Sequence, residues 1–309
     1  VITSHIGVAI VAPGGYAPDP CAVSRAIALL EARGCVVHNY YDHGHIHQRF
    51  GGSDTARLAQ LTAAIADPDV QVILALRGAY GMTRLLDQID YQALADSGKI
   101  VVGFSDVTAL HMALYAKTGA ISYAGPMAAG DFGAEAPVDF TLDDFWTCLA
   151  GPGHTVCGDA AGNPVLDVRG TVWGGNLAMF MSLIGTPYFP AIDNGILFFE
   201  DIGEHPYRIE RMLLQLMQAG VLARQQAVVL GEVSGYRLAP ADNGYDFDAM
   251  LAYLRDVLPV PVLAGLPFGH GPRRVTIPFG AQGHLVCDGG TFRLSLSDYP
   301  TVRLSEQLV

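Results

Sequence analysis

Two segments, Val70 to Leu76 (VQVILAL) and Lys99 to Phe104 (KIVVGF), are almost wholly apolar and only strand-length. A strand with no polar face belongs inside a sheet covered by helices on both sides. Their neighbours alternate in kind: strands are expected at Ile6 to Ala12, Cys35 to Tyr40 and Ala120 to Ala124, and helices at Pro20 to Arg33, Asp54 to Ala66 and Asp106 to Lys117, with Gly34 and Gly119 as stops. That order is the signature of βαβ units and a parallel sheet, an α/β fold.

From about Gly130 to Pro164 the chain turns to Gly, Pro, Ala and acidic residues, with one helix expected at Leu142 to Leu149. This reads as an interdomain connection. Beyond it strands are expected at Val165 to Val172, Gly195 to Phe199, Ala227 to Val233 and Pro261 to Gly265, and helices at Leu177 to Leu183, Arg208 to Gln218 and Asp246 to Asp256. Arg274 to Pro278, His284 to Asp288 and Thr291 to Ser297 read as a closing β-meander. The expected division is therefore a domain over 1–135, a linker over 136–164 and a β-rich domain over 165–309.

Acidic residues outnumber basic ones by 30 to 18, a formal charge of −12, which repels phosphate backbones and anionic lipid. No nucleic-acid partner is expected, and no membrane partner, since the apolar runs fall far short of the ~20 residues that cross a bilayer. The run from Ile6 to Ala12 lacks the basic flank and cleavage pattern of a signal peptide. Five cysteines, Cys21, Cys35, Cys148, Cys157 and Cys287, include no C-x-x-C pair and suit a reducing compartment. A cytoplasmic protein is expected.

The segment KIVVGFSDVTALHMALYAKTG runs an apolar strand into a turn and then a helix, which puts Ser105 where open α/β sheets bind ligands and helix N–H groups meet negative charge. The alternative reading is a helix cap with Asp106 as a first-turn acid. A nucleophile there would find oxyanion donors in the backbone of Asp106 and of Gly78, in the RGAYG turn that ends another strand. Glu200 ends an apolar strand, where a buried carboxylate needs a partner. His270 stands between two glycines in PFGHGPRR. Nucleophile, base and orienting carboxylate make up the set that acyl transfer needs. The first strand is followed by VAPGG and no phosphate-binding motif, so no cofactor is expected.

Taken together, VAPGG, GGSDTARLAQLTAAIADPDVQVILALRGAYG, GFSDVTALHMAL, GGNLAMFMSLIGTP, LFFEDIGEHPYRIERML and PFGHGPRRVTIPFG resemble, in order and over nearly the whole chain, the LD-carboxypeptidase family of serine peptidases, the muramoyltetrapeptide carboxypeptidases. The resemblance implies a flavodoxin-like parallel-sheet N-terminal domain with a smaller β-rich, barrel-like, swivelling C-terminal domain. It implies Ser105, Glu200 and His270 as the catalytic triad and a small peptide or muropeptide as substrate, cut before a terminal D-amino acid in peptidoglycan recycling. The family also holds hydrolases of microcin-type peptidyl nucleotides. A homodimer is the expected assembly. The motif departs from the family at Ala79, where glycine is frequent, and at Glu210–Arg211, where Asp-Arg is. An exopeptidase must read a free carboxylate, for which Arg77, Arg84, Arg237, Arg273 and Arg274 are candidates, with Tyr80 as a further substrate contact.

His38, His43, His45 and His47 lie close together, and alternating histidines can bind a transition metal. No later cluster has ligand spacing, so no metal is expected. A metal-dependent amidohydrolase and a non-enzymatic small-molecule-binding protein are the rival classes.

Overall fold

The computed structural model describes residues 5–302. The outermost residues of both expected domains, 1–4 and 303–309, lie outside them.

Strands β1 (Ile6–Val11), β2 (Cys35–Asn39), β3 (Val72–Ala75), β4 (Ile100–Gly103) and β5 (Ser122–Ala124) pair in parallel in the order β2-β1-β3-β4-β5. This is the flavodoxin order, which opens a crevice beyond the carboxyl ends of the strands. Every residue of β1, β3, β4 and β5 is buried, because helices α1 (Cys21–Ala32), α2 (Asp54–Ala66), α3 (Tyr91–Asp96) and α4 (Thr108–Thr118) complete the layers. Helix α2 begins where Ser53 accepts the Ala56 N–H, and α4 stops at Gly119, whose N–H caps the Tyr115 carbonyl. Helix α3, capped by Asp90, has no counterpart among the sequence expectations; six residues are too few for a helical period to register.

The segment expected as a linker is built structure. It carries α5 (Asp139–Ala150), longer than the expected Leu142 to Leu149, and strand β6 (Gly153–Asp159), an edge of the second sheet. The Gly-rich composition around these elements hid a strand whose burial simply alternates residue by residue. Strands β7 (Val165–Asn176), β8 (Gly195–Ile202), β9 (Gln225–Ser234) and β10 (Val262–Ala264) run parallel, backed by α6 (Leu177–Ser182), α7 (Pro206–Gln218) and α8 (Phe247–Val257).

The expected three-stranded meander is a second correction. Its first member, β11 (Ile277–Phe279), pairs antiparallel with β5 and so becomes the sixth strand of the first sheet. At Gly280, with φ +97°, the chain turns into the other sheet: the Gly280 N–H bonds the Val172 carbonyl, and a Cβ there would lie 2.5 Å from the Tyr115 ring. Only β12 (Gln282–Asp288) and β13 (Thr291–Ser297) form the hairpin, which joins β7 to β6 and completes the order β10-β9-β8-β7-β12-β13-β6.

The two edges of this second sheet approach each other, as a barrel-like shape requires. The Asn163 carboxamide accepts the Ala264 N–H at 2.8 Å and donates to the carbonyls of Ala264 and Gly290 at 3.1 and 3.0 Å, standing in for missing ladder bonds. One contiguous apolar core runs through both sheets.

Candidate active site

Ser105 leaves β4 after one extended residue, Phe104, and takes φ +63°, a left-handed conformation uncommon for a residue with a side chain. A single 3-10 turn, Ser105–Val107, then leads into α4. In this conformation the side chain faces His270, which in turn meets Glu200 on β8. The Ser105 hydroxyl meets His270 Nε2 at 3.1 Å, and His270 Nδ1–H donates to Glu200 Oε2 at 2.7 Å. The carboxylate fixes the tautomer: with the proton on Nδ1, Nε2 offers its lone pair to the hydroxyl. Glu200 is buried at the end of β8 and takes a second hydrogen bond from the Asn176 amide at 3.1 Å. The imidazole packs against Phe104, ring centroids 5.0 Å apart.

Around this row the backbone is shaped for close approach. A Cβ on Gly78 would lie 3.0 Å from the Ser105 hydroxyl and 3.1 Å from the Asp106 nitrogen, so only glycine lets the RGAYG turn sit against the serine. The Asp106 side chain braces that turn by accepting the Met82 N–H at 2.8 Å, and burial pushes its carboxyl up to about 6. Arg57, fully buried and paired with Asp54 at 2.6 Å, donates to the carbonyls of Pro13 and Gly81 and ties the VAPGG turn to it.

Sequence reasoning missed the residues that join the two sheets here. The Asn176 N–H bonds the Thr108 hydroxyl on α4 at 3.0 Å, while its amide reaches both Glu200 and Asp201. Burial pushes the Asp201 carboxyl up to about 6. The Asn176 side-chain oxygen caps α6, so the GGNL segment bears a helix-start signal that could have pointed to it. Arg274, one of the candidate carboxylate readers, is buried and ion-paired with Asp131 at 2.5 Å. Both line a cavity of about 350 Å³ that opens beside His270 and Phe104 and is otherwise walled by small and apolar residues such as Met127, Ala136 and Leu142.

The remaining candidates are dispersed. Arg77 is half-buried with a guanidinium N–H on the Tyr16 carbonyl, and Tyr80 is 40% exposed over Phe50. Arg273 is exposed, stacks on Phe140 and borders a separate hollow with Glu232. Arg84 pairs with Asp54. The histidine-rich stretch divides its members: His38 bonds Asp67, His45 bonds Asp42 and His43 meets the Tyr41 hydroxyl. Among the described residues no group of three or more His, Cys, Asp or Glu is placed to hold a metal ion.

Comparison with known proteins gives two family matches: the LD-carboxypeptidase N-terminal domain over residues 8–125 and the LD-carboxypeptidase C-terminal domain over residues 169–285. A Streptomyces coelicolor protein provisionally named a carboxypeptidase is 36% identical over 298 residues, 93% of this chain and 92% of its own. A Bacillus subtilis protein named "probable murein peptide carboxypeptidase" is 28% identical over 280 residues, 89% of this chain and 87% of its own. The crystal structure of muramoyltetrapeptide carboxypeptidase from Oxalobacter formigenes is 49% identical with a TM-score of 0.91, over 96% of this chain and 100% of that one. MccF in complex with glutamyl sulfamoyl guanosine, 23% identical, shares the fold with a TM-score of 0.85 over 97% of this chain and 98% of that one.

Proposed function

The chain belongs to the LD-carboxypeptidase family, and from that membership we propose that it is a serine carboxypeptidase that releases terminal D-alanine from muropeptide tetrapeptides by hydrolysing an L,D-amide bond. The observation that carries the reading is the hydrogen-bonded row of Ser105, His270 and Glu200.

His270 Nε2 takes the Ser105 proton as the oxygen attacks the amide carbon. Glu200, held by Asn176, steadies the imidazolium that forms. The N–H groups of Gly78 and Asp106 receive the oxyanion, each such donor being worth on the order of 10²–10³ in rate. The C–N bond then breaks as His270 returns its proton to the departing amine. Water, deprotonated by the same imidazole, hydrolyses the acyl-serine. Arg77 and Tyr80, in the RGAYG turn, and Arg273, three residues after His270, are proposed as substrate contacts.

In this reading the reaction belongs to peptidoglycan recycling in the cytoplasm, and the enzyme is a homodimer. The names of the relatives support the substrate class, and all five cysteines being free suits a reducing compartment. Among the described residues no helix is long and apolar enough to cross a membrane. We take 1–135 and 165–309 as its two domains, with β11 lent by the second to the first.

The test is incubation with a disaccharide tetrapeptide ending in D-alanine, followed by mass spectrometry, with a peptidyl adenylate in parallel. Loss of one alanine from the tetrapeptide is expected. Cleavage of the adenylate alone would move the enzyme to the hydrolases of microcin-type peptidyl nucleotides. Light scattering tests the dimer.

A further inference from the structure

Building on the serine reading, we infer that Arg274 is a positioning residue that locks the His270 loop against the nucleophile's side of the cleft, and that it does not read the substrate's carboxylate. A cation on the wall of a cavity beside a carboxypeptidase's catalytic serine invites the opposite reading. The contacts of this one decide otherwise.

The guanidinium is committed in three directions. Its Nε–H donates to the Gly269 carbonyl at 2.9 Å, immediately before His270, and Nη2 reaches the Gly271 carbonyl at 3.5 Å, immediately after it. Its Nη1 is paired with Asp131 at 2.5 Å, on the turn that walls the cavity from the first half of the chain. Its flat face lies 3.7 Å from the centre of the Phe104 ring, the residue that precedes Ser105 and packs on the imidazole. Only 4% of Arg274 is exposed.

The far side of the loop is held as well. Glu232 on β9 accepts the Gly271 N–H at 2.7 Å, and a Cβ at 271 would lie 2.1 Å from that carboxylate and push it off the loop. The Gly-His-Gly loop thus has little stiffness of its own and borrows it from Glu232 on one side and Arg274 on the other. Arg274 alone of these two reaches across to the elements that carry Ser105. A planar fork with fixed donor directions can serve Gly269, Asp131 and Phe104 at once, which a lysine ammonium cannot. With its charge already matched by Asp131, the cavity suits a small uncharged group, and the substrate's carboxylate is read outside it.

The test compares Arg274→Lys with the wild type in two assays: steady-state hydrolysis of the tetrapeptide, and inactivation by a fluorophosphonate, which reports the reactivity of Ser105 without any carboxylate to recognise. A positioning role predicts that kcat and the inactivation rate fall together, by roughly ten- to a hundredfold, with KM within about twofold. A tenfold rise in KM with unchanged inactivation would overturn the proposal and make Arg274 the carboxylate reader. Should Arg274→Lys not fold, Asp131→Asn tests the same contact from its other end. Slower inactivation at unchanged KM supports positioning, whereas a lower KM at unchanged inactivation, from a guanidinium freed for substrate, refutes it. If the wild type itself escapes labelling at Ser105, the serine reading fails first.

Discussion

Replacing Ser105 by alanine and by glycine separates the chemistry of its hydroxyl from the strain of its backbone. Both variants lose the hydrogen bond to His270, worth about 1 kcal/mol of stability. They differ in what the position demands of the chain. At φ +63° a residue with a Cβ costs roughly 1–2 kcal/mol, a penalty that alanine keeps and glycine does not. Glycine returns about 0.4–1 kcal/mol through its freer unfolded chain. Ser105→Gly should therefore be more stable than Ser105→Ala by about 0.5–1 kcal/mol, read as a higher urea midpoint at unchanged slope. Turnover of the tetrapeptide should fall in both by several orders of magnitude, on the order of 10⁶ as in a comparable triad. A glycine variant no more stable than the alanine one would refute the strain argument. Either variant keeping a tenth of wild-type turnover would refute the nucleophile.

Ala79 has φ +67° in the neighbouring turn, so Ala79→Gly should stabilise the fold by up to about 1 kcal/mol, read as a higher urea midpoint, while kcat stays within a few-fold; a lower midpoint would show that the Ala79 methyl packs usefully. EDTA should leave hydrolysis unchanged, as should replacing His43, His45 and His47 together by Gln. Activity lost to the chelator and restored by Zn²⁺ would return the enzyme to the metal class. His111 is buried between the Gly103 carbonyl and the Ser122 hydroxyl, both at 2.8 Å, and burial pushes its imidazole down to about 4. The unfolded chain then binds the extra proton first, so stability is full above pH ~6.5 and falls by on the order of 3 kcal/mol as pH drops to about 4. His111→Gln should flatten the urea midpoint over that window, and an unchanged slope would assign the loss to another group.

The alternation of buried runs and helices made the parallel sheet legible, because each element announces itself through its own few residues. Ser105, Glu200 and His270 stood out for a related reason: a polar residue at the end of an apolar strand, or between two glycines, is locally anomalous. Arg274 and Asp131 carry no such mark, since their meaning lies in an ion pair across more than a hundred residues. The same holds for β11, which looks like a hairpin member until its partner, β5, is known, and for β6, masked by the glycines on either side. Asn176 lies between these cases. Its helix-capping signal is local, but the two carboxylates that face it are not.

The strand that β11 lends has a consequence for how the protein is born. On the ribosome, β5 emerges with one edge bare, and the segment that covers it follows about 150 residues later, on the order of ten seconds at ~5–20 residues per second. Until then the nascent chain displays an unpaired edge, the kind of surface that recruits other strands. His270 emerges just ahead of the covering strand. The hydrolase therefore stays catalytically silent through almost all of its synthesis, and a ribosome that stalls before Ile277 releases a chain with an open seam.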